Sequence, residues 1–83
     1  MEITLKLYAS LSQYLPENSV KHSAKFEIST SDTTISILDR FNVPDKEVHL
    51  VLLNGVYLHP EERKSLNFSD GDTLAIWPPV AGG

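Results

Sequence analysis

The stretch Val48-His49-Leu50-Val51-Leu52-Leu53-Asn54-Gly55-Val56-Tyr57-Leu58 decides how the rest of the chain can fold. Val48 to Leu53 is apolar at every position except His49, which suits a central strand covered on both faces. Asn54-Gly55 follows without a spacer. Both residues tolerate positive φ, so the pair favours a type I′ turn, whose hand matches the twist of the strands it joins. Val56 to Leu58 is then the return strand. A hairpin fixed this firmly in a chain of 83 residues leaves room for few other elements.

Working toward the N-terminus, the period changes. Ile35, Leu38 and Phe41, with Ile37 widening the stripe, form one apolar helical face. Ser31 or Asp32 supplies a short side-chain oxygen as N-cap, and the helix ends near Asn42, ahead of Pro44. Its β-branched residues lower intrinsic helix preference, so packing must hold it. Further back, Ala24 to Ser29 alternates with Phe26 and Ile28 on one face. Ile3, Leu5 and Leu7 alternate with Glu2, Thr4 and Lys6. These read as two half-buried strands paired antiparallel. Between them Tyr8, Leu11, Tyr14 and Leu15 fall at helical spacings, which predicts a short helix stopped at Pro16; Glu17 to Ser23 is a polar loop.

Working toward the C-terminus, His59 to Ser69 is a loop with Leu66 and Phe68 turned inward. Asp70-Gly71-Asp72 marks a tight turn, and Thr73 to Trp77 is the last strand. The order is strand, strand, helix, strand, strand, strand. An α+β fold satisfies it, with a mixed sheet packed on one main helix and a right-handed crossover. That is the ubiquitin-like β-grasp arrangement. Residues 1–77 make the domain and residues 78–83 an extended tail.

Bulk properties narrow the function. One small domain with 41% apolar residues supports a single core but not a deep cleft with its own walls. A net charge of −4 argues against nucleic-acid binding, since no basic patch would release many counterions. It fits a cytoplasmic protein that docks on a basic partner surface. There is no cysteine, so neither a disulfide nor a thiolate site exists. Met1 to Tyr8 alternates and carries charge, unlike a signal peptide, and no run reaches the length of a membrane span.

The tail Pro78-Pro79-Val80-Ala81-Gly82-Gly83 carries the strongest functional signal. Paired prolines hold its base extended and cannot donate to a sheet ladder. Gly82 and Gly83 lack Cβ, so the tip can pass through a narrow channel. A terminal carboxylate there is an anion at neutral pH, with a reference pKa of about 3.5, and a poor electrophile. Chemistry at Gly83 requires another enzyme to activate it first, as an acyl-adenylate or similar ester. The chain itself is then a carried substrate with no catalytic site of its own. With no thiol available, sulfur could be carried only at the carboxyl terminus.

Other candidates read more simply as structure. His22, His49 and His59 have neither metal-ligand spacing nor a carboxylate cluster, so no metal site is expected. Glu61 to Lys64 looks like a solvated charged turn. Asp70 and Asp72 lack the further ligands of a metal loop. Ser10, Ser12 and Ser36 have no His/Asp constellation to activate them. Trp77, the sole tryptophan, fits either core packing or a partner contact, because aromatic residues are enriched at binding hot spots. Apolar residues on the exposed sheet face, either Leu50 and Leu52 or Val51 and Leu53, extend the second reading.

The end Asp70-Gly71-Asp72-Thr73-Leu74-Ala75-Ile76-Trp77-Pro78-Pro79-Val80-Ala81-Gly82-Gly83 resembles that of the MoaD/ThiS group of sulfur carriers, most closely its molybdopterin synthase small-subunit branch. The Val48 to Gly55 stretch and the opening Leu5-Lys6-Leu7-Tyr8-Ala9-Ser10-Leu11 resemble the same group. Residues 16–25 match no pattern of it, and Ile76-Trp77 stands where an aromatic pair is usual. The resemblance implies that a ubiquitin-activating-type adenylyltransferase uses ATP to adenylate Gly83, and that a sulfurtransferase donor converts the adenylate to a thiocarboxylate. Gly82 serves passage of the tail, and Trp77, Pro78, Pro79, Val80 and Ala81 contact the partner. The sulfur then goes to a pterin precursor in the large subunit of molybdopterin synthase, for molybdenum or tungsten cofactor synthesis. No cofactor is bound by the chain itself. Rival readings are a thiamine-type carrier serving thiazole synthase, a carrier for tRNA thiolation, a modifier joined to lysines by isopeptide bonds, and an interaction module with an incidental tail.

Overall fold

In the computed structural model the elements are β1 (Glu2–Leu7), a 3-10 helix (Ala9–Tyr14), β2 (Ser23–Glu27), α1 (Thr34–Arg40), a 3-10 turn (Asp45–Glu47), β3 (Leu50–Leu53), β4 (Val56–Tyr57), a further 3-10 turn (Glu62–Lys64) and β5 (Thr73–Trp77). The structure describes residues 1–17, 19–65 and 67–79. The strands form one 5-stranded sheet in the order β2-β1-β5-β3-β4. β1 and β5 are parallel, and the other neighbouring pairs are antiparallel. β5, last in sequence, is therefore central in space. α1 is the crossover between β2 and β3, which run the same way on either side of β1 and β5. This is the β-grasp arrangement.

One face of the sheet makes the core. Ile3, Leu5 and Leu7 of β1, Leu74 and Ile76 of β5 and Val51 of β3 are buried against Ile37 and Leu38 of α1, with Ile28, Val43, Leu58 and Phe68 closing the sides. Full burial of one such side chain contributes about 1.5–3 kcal/mol. Phe68 is inward as its sequence context predicts; Leu66 lies outside the described residues.

α1 starts later than its composition suggests. Thr33 is the N-cap: its Oγ1 accepts from the Ser36 amide at 3.3 Å while the Thr33 amide donates to Ser36 Oγ at 2.8 Å, a reciprocal capping box. Asp32 instead accepts from the Ser29 amide and the Ser36 hydroxyl, both at 2.9 Å. Its buried face is Thr34, Ile37 and Leu38. Ile35 is half-exposed, because a stripe continued from Ile37 and Leu38 points it off the sheet. Asn42, with φ 61, ends the helix near the predicted place.

Two turns are tied together. Asn54 (φ 51) and Gly55 (φ 83) have the double positive φ of the predicted hairpin turn. Asn54 Nδ2 donates to Asp72 Oδ1 at 2.9 Å, and Asn54 Oδ1 accepts from the Thr73 amide at 2.8 Å. Asp72 Oδ2 also accepts from the Ser69 amide at 2.8 Å, and Asp70 Oδ1 from the Glu2 amide at 2.7 Å. Asp72 thus closes its own turn and joins it to the hairpin, while Asp70 ties the turn to the start of β1.

Further expectations are corrected. β3 is not covered on both faces: Val51 is buried in the core, but Leu50 and Leu52 are half-exposed on the other side, where no layer among the described residues covers the sheet. The helix expected over Tyr8 to Leu15 is a 3-10 helix over Ala9–Tyr14. Ala9 sits at φ 52, and Ser12 Oγ donates back to the Ala9 carbonyl at 2.9 Å, favouring the tighter local turn. The charged run at residues 61–64 is not wholly solvated. Arg63 is buried, and its Nε donates to the Leu58 carbonyl at 3.1 Å where β4 has ended and no ladder partner remains.

Candidate functional site at the base of the tail

The site is the outer face of the sheet at the end where β5 gives way to Pro78 and Pro79. Alternation sends Leu74 and Ile76 into the core and turns Ala75 and Trp77 outward. On β1 the same alternation turns Thr4 and Lys6 outward, and Tyr8 follows in that series. Tyr8 and Trp77 lie with ring centroids 4.4 Å apart and planes 4° from parallel, an offset stack. The His22 ring stands 5.3 Å from Tyr8 on the far side.

The strand registers extend this pair into a surface. Trp77 is opposite Leu50, so Tyr8, Trp77 and Leu50 form one row across the outer face. In the next row Ser23 pairs with Lys6, Lys6 with Ala75, Ala75 with Leu52, and Leu52 with Tyr57. Tyr57 is 43% exposed and meets His59 edge to face, the centroids 4.8 Å apart. The outer set is thus Leu50 and Leu52, not Val51 and Leu53. The result is a half-buried apolar and aromatic strip beside the exit of the tail.

Trp77 is half-buried on the outer face and not in the core, Pro78 is half-buried and Pro79 is exposed. The assignments to Val80, Ala81, Gly82 and Gly83 lie outside the described residues. His49 is separate; its amide donates to the Trp77 carbonyl at 3.0 Å, continuing the β3–β5 ladder. Tyr8 was missed as a site residue because its spacing to Leu11 and Leu15 imitates a helix. Its period-two relation to Thr4 and Lys6 is the signal that places it here.

The groups with displaced acidity belong to the scaffold. The Ser29 amide, then the Ser36 hydroxyl and the nearby Arg40 guanidinium, hold Asp32 below the usual carboxylate range. The hydrogen bond from Tyr14 to Glu47 at 2.8 Å, with burial and the carboxylate's charge, pushes the Tyr14 phenol up. Among the described residues no group of His, Asp and Glu is arranged to hold a metal ion. Nor is any helix among them long and apolar enough to cross a membrane.

These features define a small ubiquitin-like β-grasp protein with an aromatic strip on its outer face beside Pro78 and Pro79. The chain belongs to the Mut7-C ubiquitin family, whose model matches residues 1–82. It is similar in fold to SAMP1 from Haloferax volcanii, with 22% identity, 100% of both chains covered and a TM-score of 0.68. It is similar to the HVO 2177 protein of the same organism at 21% identity, covering 100% of this chain and 87% of that one, with a TM-score of 0.77. It also resembles a chain in the complex of subunits 1 and 2 of molybdopterin-converting factor from Helicobacter pylori 26695, at 16% identity, 100% coverage of both and a TM-score of 0.61. No curated protein matches the chain. The family is thus Mut7-C ubiquitin, and the likeness to SAMP1 and to the molybdopterin-converting factor chain is one of fold.

Proposed function

We propose that this protein is a sulfur carrier whose working group is the carboxylate of Gly83. The observation that carries the reading is the position of β5: the central strand passes the Tyr8–Trp77 stack and runs directly into Pro78 and Pro79. A partner docked on the outer face then has the root of the tail in a fixed place and direction. Six residues of extended chain beyond Trp77 reach about 20 Å from that anchor, far enough to enter a buried active site on the partner.

The chemistry follows from the carboxylate. One oxygen attacks the α-phosphorus of ATP and pyrophosphate leaves, giving an acyl-adenylate. A hydrosulfide-level donor attacks the carbonyl carbon, AMP leaves with its electron pair, and a proton is lost to give the thiocarboxylate. All catalytic groups belong to the activating enzyme. This chain supplies docking through Trp77, Tyr8, Leu50 and Leu52, direction through Pro78 and Pro79, and a tip without side chains at Gly82 and Gly83. The acceptor is a pterin precursor held by a large synthase subunit; the molybdopterin-converting factor complex supports this, since a chain of this fold occurs there with a second subunit.

Intact-mass spectrometry tests the proposal. The protein from its native cells, incubated with an adenylating enzyme of the ubiquitin-activating type, ATP and sulfide, should show the mass change of exchanging one oxygen for sulfur. A chain lacking Gly83 should not. Adducts linked to lysines, with no sulfur exchange, would replace the carrier by a protein modifier. Neither product would leave an interaction module.

A further inference from the structure

We infer that the partner surface received by the outer face is acidic along the border that meets β2. This rests on the docking reading above and adds the charge of the partner. Although the chain carries a net charge of −4, the corner beside Tyr8 is basic. Lys6, Tyr8, Val20, Lys21, His22 and Ser23 line a groove of about 310 Å³ there. Lys25 is on the same face, two residues along β2 from Ser23 and paired with Thr4. None of Lys6, Lys21 and Lys25 is engaged in an ion pair among the described residues, where the pairs are Met1 with Glu27 and Arg40 with Asp32.

Lys21 stands at the tip of a tight turn. Val20 and Ser23 exchange amide–carbonyl bonds at 3.0 Å in both directions, closing a two-residue turn over Lys21 and His22. Lys21 holds φ 57 at its tip, a conformation that glycine or asparagine adopts more cheaply. Val20 is 70% exposed beside it. The outer face therefore grades from cationic at the Ser23–Lys25 end of β2, with Glu2 and Glu27 at the strand's other end, through Tyr8 and Trp77, to apolar at Leu50 and Leu52. A nucleic acid would leave that apolar half uncovered; a protein surface with an apolar centre and Asp or Glu toward β2 covers both. Such complementarity steers encounter and fixes register more than it adds affinity.

The test is amide chemical-shift mapping on the full ¹⁵N-labelled chain. The probes are an amphipathic peptide with a Leu/Ile face flanked by Glu, the same peptide with Lys for Glu, the same with Gln, and an oligothymidine. The Glu peptide should move Lys6, Tyr8, Lys21, Lys25, Ala75 and Trp77 and bind at least about tenfold tighter than the Lys peptide, a preference that added salt erases. Lys6→Glu with Lys21→Glu should reverse the order of the two peptides while leaving the fold intact. Equal binding of all three peptides on this face would overturn the acidic border and keep the docking face. No peptide shifts there would sink both. Stronger shifts with oligothymidine would replace the protein partner by single-stranded nucleic acid.

Discussion

The Tyr8–Trp77 stack is the contact on which the candidate site turns, and its energy can be isolated. Trp77→Ala removes the ring from a half-buried position. Full truncation of a buried Trp costs about 3–5 kcal/mol, so half that burial corresponds to roughly 1.5–2.5 kcal/mol. In a domain this size each kcal/mol lowers Tm by about 4–8 °C, a loss well outside error. Tyr8→Ala costs less, because it removes a smaller ring from a similarly half-buried position. The rings lie 4.4 Å apart and within 4° of parallel, a geometry that adds about 0.5–1.5 kcal/mol beyond burial. The double mutant should therefore be less destabilised than the sum of the singles by that amount. Urea titrations followed by far-UV circular dichroism measure all corners of the cycle, since tryptophan fluorescence disappears with Trp77. A coupling energy within about 0.3 kcal/mol of zero would show that the rings merely adjoin. The picture of a pre-formed aromatic platform at the root of the tail would then fail.

The scaffold yields further expectations. Thr33→Ala removes the N-cap acceptor of the Ser36 amide and should cost about 1 kcal/mol, read as a lower urea midpoint at unchanged slope. Gly55 has φ 83 and open space where a Cβ would stand; Gly55→Ala should lose about 1–2 kcal/mol from backbone conformation alone, and Gly55→Asn should recover most of it in the same thermal melts. Asp32 has a folded pKa below its unfolded value, so its contribution is complete above about pH 3.9 and is lost as pH falls through the lower folded value. Asp32→Asn should flatten that acid-side fall in stability, and an unchanged pH profile would count against the Ser29 and Ser36 contacts.

Elements whose signal is local were legible. The alternation of β1, the double positive φ of Asn54-Gly55 and the strand Thr73–Trp77 depend on near neighbours, and the structure has them in place. What the sequence hid were effects of topology. Val48 to Leu53 reads as buried on both faces because Leu50 and Leu52 are as apolar as Val51. Only the sheet order, with α1 on one side, leaves those two leucines facing outward. Arg63 hid for a related reason. A run of Glu, Glu, Arg and Lys reads as solvated, and nothing local announces that the Leu58 carbonyl, stranded past β4, needs that guanidinium.

The same division explains the site. Pro78 and Pro79 announce a stalk by composition, but what the stalk is mounted on depends on residues far apart in the chain. Tyr8 reaches Trp77 because β1 and β5 are parallel neighbours, with Leu7 opposite Ile76. Lys6 pairs with Ala75 in the same ladder, and Ala75 with Leu52 across the antiparallel β5–β3 ladder. A parallel pair can form only after the whole intervening chain has crossed over. The outer aromatic face is therefore assembled by folding, and its charge distribution is invisible to net charge. A chain of overall charge −4 reads as fitting a basic partner; Lys6, Lys21 and Lys25 place local positive charge on the outer face that this total conceals.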